Sequence, residues 1–202
     1  MNSIDERVSA AAMRLFAQRG ATEVSMSDLA AEARVARGTL YRNIGSTERL
    51  YTRLIETMAP RLHSQIASGL DQIGATDPAV RLASALRLLV RLASDEPVTG
   101  KFLVRFGLSD ESLNALLSGP PMRDIESGIA SGRYQISPGS TLAAASLISG
   151  ATVSAMRMAT EGHLGWRDAG SSTAELVLRA LGVPGPEAAE ISQVELPTLT
   201  LA

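Results

Sequence analysis

The chain has 202 residues, room for one large domain or two modest ones, and its 45% apolar content is ample for a core. Aromatics make up only 3%, so the interior has to be built from Leu, Ala, Val, Ile and Met. The net charge of −2 excludes a uniformly basic coat, and the absence of cysteine excludes disulfide frameworks and thiolate metal sites.

No metal or cofactor is expected, since His63 and His163 lie far apart and no glycine-rich phosphate loop is present. No catalytic constellation is visible, so the chain does not read as an enzyme. No run approaches the length of a membrane span, and the N-terminus carries no basic-then-apolar signal. A cytoplasmic protein with no membrane partner is expected.

The pattern is all-α. Met1 to Ser3 reads as a frayed tail. A first helix follows over about Ile4 to Gln18, with Ile4, Val8, Ala11, Ala12, Leu15 and Phe16 on its buried face and Gly20 as its stop. Arg7, Arg14 and Arg19 fall on the outer face and read as solvated.

Ser25 to Ile44 reads as a helix-turn-helix. Ser25 can cap the amide of Asp28, and Asp28 can reach back to the cap. Met26, Leu29, Ala30 and Ala33 make one helical face, and Ala30 is small enough for a second helix to cross closely. Arg34-Val35-Ala36 is the turn, with Val35 plugging the gap. Leu40 faces inward from the second helix, Arg37 to Asn43. Arg can meet phosphate or guanine, and the Thr39 methyl can touch thymine. Tyr41 can give its hydroxyl to phosphate while its ring packs on the domain. Gly38 lets backbone approach backbone. The candidate DNA contacts are Ser25, Ser27, Arg37, Gly38, Thr39, Tyr41, Arg42 and Arg49. From Arg34 to Arg53 there are five arginines (34, 37, 42, 49 and 53) against Glu48, a local +4.

RVSAAAMRLFAQRG, SMSDLAAEARVARGTLY and the helix start at Ser46-Thr-Glu-Arg-Leu together resemble the N-terminal domain of TetR-family transcriptional regulators. The resemblance covers roughly Ile4 to Glu56. It implies an all-helical homodimer on a palindromic double-stranded DNA operator, with a small-molecule-responsive C-terminal domain. Four positions depart from the family pattern. Arg34 replaces a turn glycine, at a cost of roughly 1 kcal/mol in a left-handed turn. Ala36 replaces a capping Ser or Thr, typically worth about 1 kcal/mol. Asn43-Ile44 replaces a His/Tyr-Phe pair, and Thr47 stands where a Lys commonly meets phosphate.

Ser46 caps a long helix with apolar residues at Leu50, Leu54, Met58, Leu62, Ile66, Leu70 and Ile73. At 1.5 Å per residue it spans roughly 42 Å, with Pro60 expected to kink it. Such a helix belongs to both domains. If an effector tilts it, the DNA-reading helices move too.

Asp77-Pro78 starts a helix to about Ser94, apolar on most sides. Glu96-Pro97 begins a shorter one with Phe102, Leu103 and Phe106, and Asp110 begins another. Gly119-Pro120-Pro121 breaks the pattern before Met122 to Gly132, giving either one kinked helix or two. Ser140 to Glu161 is a helix rich in small residues. About Ser172 to Leu181 is the last clear helix, with Leu176, Val177, Ala180 and Leu181 on one face. These two are the candidate dimer interface, closing a four-helix bundle across a two-fold axis.

The expected domains are residues 1–56 for DNA binding (motif 25–44), 57–185 for effector binding and dimerisation, and a tail over 186–202. The candidate effector contacts are Met58, Phe102, Phe106, Met122 and Met156, with His63 or Arg105 as a polar handle. The expected function is a transcriptional regulator, a repressor released from its operator by a small apolar effector. The alternatives are a DNA-binding regulator without a small ligand, which a collapsed cavity would favour, and a helical module that no longer binds DNA.

Overall fold

The computed structural model describes residues 3–198. The expected frayed ends at Met1 and Asn2, and the tail residues 199–202, lie outside the described residues. Ser3 already begins the first helix. Helices α1 (Ser3–Arg19), α2 (Met26–Ala33) and α3 (Arg37–Ile44) form a head, and α4 (Thr47–Gln72) runs from it into the body. The body comprises α5 (Pro78–Asp95), α6 (Pro97–Phe106), α7 (Asp110–Leu117), α8 (Pro120–Ala130), α9 (Thr141–Thr160), α10 (Trp166–Ala180) and α11 (Gly185–Ile191).

The head has its own core. Val8, Ala11, Ala12 and Phe16 of α1 meet Leu29 of α2, Leu40 of α3 and Leu50 and Ile55 of α4, all nearly water-free. Burying Phe16 and the four larger aliphatic residues of that set is worth about 1.5–3 kcal/mol each, before chain entropy is subtracted. Phe102 of α6 and Ala115 of α7 complete this core from the body side.

Helix α4 is continuous through Pro60, which lacks the N–H that would bond the carbonyl four residues earlier. It ends one residue short of Ile73, which lies outside the helix and is 52% exposed. The apolar stripe therefore closes at Leu70, where Gly74, at φ 71°, turns the chain.

The Gly119 break separates two helices, α7 and α8, with Pro120 at the first position of α8, resolving the choice between one and two. In the body, α5 sits against α9 and α10 and also touches α6 and α8.

Helix α10 starts at Trp166, six residues before the sequence expectation. Asp168, Gly170, Ser171 and Ser172 resemble loop composition, but packing overrides propensity. A Cβ on Gly170 would lie 3.4 Å from Arg87 Cα, so glycine lets α10 cross α5 closely. The guanidinium groups of Arg91 and Arg167 lie 5.5 and 4.3 Å from the centre of the Trp166 ring.

The expected tail is structured where it is described. Its segment forms α11, which buries Ala188 and Ile191, and Arg87 Nη1 donates to the Val194 carbonyl.

Helix α9 corrects a second expectation. Pro138–Thr160, 23 residues with mean hydropathy 1.3, is long and apolar enough to cross a membrane. Here it packs against α5, α6 and α10. Its buried Ser149 and Thr152 return their hydroxyl protons to the carbonyls of Ala145 and Ile148.

Candidate DNA-reading head and effector cavity

Ser25 Oγ accepts the Asp28 amide at 3.2 Å, and the Ser25 amide donates to Asp28 Oδ2 at 2.9 Å. This capping box starts α2. The bonds from the Ser25 side chain and backbone hold the Asp28 carboxyl below its ordinary range, with Arg19 3.7 Å away assisting. The Ser25 hydroxyl, which also donates to Asp28, is therefore engaged in the cap.

Arg34 adopts φ 54° and ψ 49°, the left-handed turn that glycine would enter freely. Ala36 starts α3 in extended geometry with no side-chain cap bond. Both departures from the family pattern thus have physical counterparts. Ile44 is buried in the head core. Thr47 is buried with its hydroxyl donating to Glu48, turned away from solvent.

Arg37, Gly38, Tyr41 and Arg42 are exposed on α3, while Thr39 is half-buried. Tyr41 is 56% exposed, so its ring extends outward instead of packing on the head as expected. A Cβ on Gly38 would meet nothing within 4 Å. The protein itself gives no reason for glycine there. Ser27 is half-buried in α2. Arg49 is exposed, its guanidinium lying across Gly45. Arg34, Arg37, Arg42 and Arg49 form no ion pair among the described residues, whereas Arg14 of α1 is bound to Glu32 at 2.9 Å. These four guanidinium groups on α3 and its flanks are open to phosphate.

A cavity of about 120 Å³ lies in the body between α4, α5, α9 and the α6–α8 segment. Its walls are mainly apolar, with Leu62, Ile66, Leu86 and Ile148 among them. Of the expected effector contacts, His63 and Met156 line it. The other five do not. Met58 faces a separate groove between α1, α4 and the α5–α6 junction. Phe102 and Phe106 stack with each other at 4.9 Å, and Phe106 meets Tyr51 edge-on at 4.9 Å. Arg105 reaches to Gly20 in the head, and Met122 packs half-buried on the body core. The aromatics of α6 close the seam to the head, while its Leu103 and the following Gly107 face the cavity.

His63 Nδ1 is buried without a hydrogen-bond partner. Burial pushes the His63 imidazole below its ordinary range, partly offset by the Ala115 carbonyl, so the ring is neutral at pH 7. Asp124, not foreseen from the sequence, also lines the cavity and is bound to Arg81 at 2.9 Å. Helical periodicity carries no sign of it, because its inward placement depends on Arg81 of α5, 43 residues earlier in the chain. Among the described residues no group of three metal-ligating side chains converges.

Residues 9–54 match the family model for bacterial regulatory proteins of the TetR family, and residues 77–194 match the tetracyclin repressor-like C-terminal domain. The chain belongs to the TetR family. It is a DNA-binding transcriptional regulator and not an enzyme. An HTH-type transcriptional regulator of Mycobacterium tuberculosis is 33% identical over 92 residues, 46% of this chain and 45% of that one. The match thus spans less than half the length of the curated relative.

Among solved TetR-like structures, RolR in complex with resorcinol is 26% identical with a TM-score of 0.73, covering 98% of this chain and 96% of RolR. A TetR-family regulator from Shewanella sp. PV-4 superposes with a TM-score of 0.78 at 20% identity, covering 91% of this chain and all of that one, a likeness of fold.

Proposed function

We propose that this regulator is a cytoplasmic homodimeric repressor that leaves a palindromic operator when a compact, largely apolar effector fills the α4–α9 cavity. The observation that carries the reading is the reach of α4. Its start, at Ser46 and Arg49, stands beside α3, and its middle, at Ala59, Leu62, His63 and Ile66, lines the cavity. One rigid element therefore touches both sites, and an effector that favours one of its positions biases the head. The open cavity speaks against a regulator without a small ligand. RolR, similar over nearly its whole length, binds a one-ring phenol. An engineered cavity of roughly 150 Å³ holds benzene, so about 120 Å³ is of the right order.

Dimerisation through α9 and α10 has its own support. Leu142, Leu147 and Leu176 are exposed on these helices. Gly150 sits mid-helix in α9 with nothing within 4 Å of its Cβ position, so its smallness serves no contact inside the chain. A second copy crossing there would use it.

The test is fluorescence anisotropy of the protein on labelled DNA flanking its own gene, across a salt series and against scrambled DNA. Sequence-selective binding with a steep salt slope is expected. Weak binding equal on both DNAs, repeated with duplexes selected from a random pool, would show that the head no longer reads sequence.

A further inference from the structure

Of the side chains lining the cavity, only those of His63 and Asp124 are ionisable, and neither Arg nor Lys reaches it. The hydroxyl protons in its wall are committed. Ser112 donates to the Phe106 carbonyl, Ser149 to Ala145 and Thr152 to Ile148. Beyond those hydroxyl oxygens, which can still accept, the polar groups of the wall are the His63 imidazole, whose Nδ1 is buried without a partner, and Asp124.

Asp124 is not neutralised by its ion pair. Arg81 donates from Nε to Asp124 Oδ1 at 2.9 Å and from Nη1 to Asp71 Oδ1 at 2.7 Å. Its Nη1 also donates to the Ala75 carbonyl. One guanidinium between two carboxylates leaves the cluster net negative. An anionic ligand entering the cavity would lose its hydration, find no countercharge and face Asp124. A hydroxyl meets no such penalty. It both donates and accepts, so it complements either tautomer of a neutral imidazole.

We infer that the cavity selects an uncharged, hydroxyl-bearing one-ring molecule and rejects the matching carboxylate, with Asp124 as the excluding group and His63 as the partner of the hydroxyl. This rests on the cavity being the effector site. Two residues on different helices, α4 and α8, add to the desolvation that the apolar wall imposes on any charge.

Calorimetric titration of the full chain with resorcinol, 3-hydroxybenzoate and toluene separates the two layers. Resorcinol should bind at least about 100-fold more tightly than 3-hydroxybenzoate at pH 7. In the unaltered protein, 3-hydroxybenzoate affinity should rise roughly tenfold per unit as pH falls from 7 to 5, following its uncharged fraction. Asp124→Asn removes the aspartate carboxylate, leaves Arg81 with Asp71 as its one ion-pair partner, and should narrow the gap at least about tenfold. His63→Leu should weaken resorcinol about tenfold while leaving toluene within roughly twofold.

Equal binding of resorcinol and 3-hydroxybenzoate at pH 7 would overturn the inference and leave the effector site standing. Toluene binding as tightly as resorcinol would remove His63 from the account. Failure of all three to bind would overturn the effector-site reading, and the inference with it. The pH series on the unaltered protein tests the rejection of charge even if Asp124→Asn fails to fold: an affinity for 3-hydroxybenzoate that stays flat from pH 7 to 5 would overturn it.

Discussion

Arg133 holds Asp77 through two parallel hydrogen bonds, Nε to Oδ1 at 2.8 Å and Nη2 to Oδ2 at 2.9 Å. Asp77 also accepts the Ala79 amide and caps α5, and Arg133 reaches on to Glu187 of α11. Burial pushes the Asp77 carboxyl up, but the Arg133 and Ala79 bonds outweigh it and hold it below the usual range. A carboxyl depressed in the folded state stabilises above its unfolded value of about 3.9, and that stability is lost as pH falls through the folded value. Arg133→Ala should cost roughly 2 kcal/mol at pH 7. Asp77→Asn should lower Tm at pH 7 and flatten the loss of stability below about pH 4. Urea melts at both pH values check this, and an unchanged acid slope in Asp77→Asn would assign the titration elsewhere.

Gly38 separates folding from DNA binding. It is exposed in α3 with open space around its Cβ position. Alanine should therefore stabilise the head by about 0.5–1 kcal/mol. If a DNA backbone approaches here, the same substitution should weaken operator binding about tenfold or more. A rise in Tm with unchanged affinity would move the DNA away from this end of α3.

Arg34 offers the reverse comparison. At φ 54° it occupies a conformation that favours glycine. Arg34→Gly should raise stability by roughly 1 kcal/mol through relief of the left-handed strain. Thermal melts in high salt, where surface charge is screened, isolate that backbone effect. An unchanged or lower Tm would mean that the turn is not strained.

Arg42 and Thr39 should fail differently. Arg42→Ala should weaken binding to all duplexes and reduce the salt slope by about one if its guanidinium meets phosphate. Thr39→Ala should relax sequence preference more than it lowers non-specific binding. Unaltered profiles in both variants would refute this docking of α3.

Leu176 is 62% exposed on α10. Leu176→Arg should leave the monomer folded, shift sedimentation toward the monomer, and lower affinity for a two-half-site operator at least about tenfold. A dimer that persists would place the interface elsewhere.

Much of the architecture is legible in the residue pattern because it rests on local chemistry. Ser25 with Asp28, Ser46, and Asp77 with Pro78 mark helix starts, and Gly119 with Pro120 marks a break, all found where read. Periodicity shows which face of α6 is apolar, but not which core each residue joins. Phe102 and Phe106 went to the head seam, and Leu103 beside them to the cavity. Asp124 was invisible for the same reason, since only its pairing with Arg81 places it. Helix α10 began early because Gly170 answers to Arg87 across the bundle, a contact no local window contains.

Trp166 is the single tryptophan of the chain, in contact with Arg91 and Arg167 at the start of α10. Helix α10 contributes nothing to the cavity wall. Its indole emission is therefore a built-in optical probe that no bound effector can quench by touching it. A change in that emission during an effector titration signals movement of the α10 region, and a silent tryptophan beside a responsive calorimetric signal signals occupancy without rearrangement there.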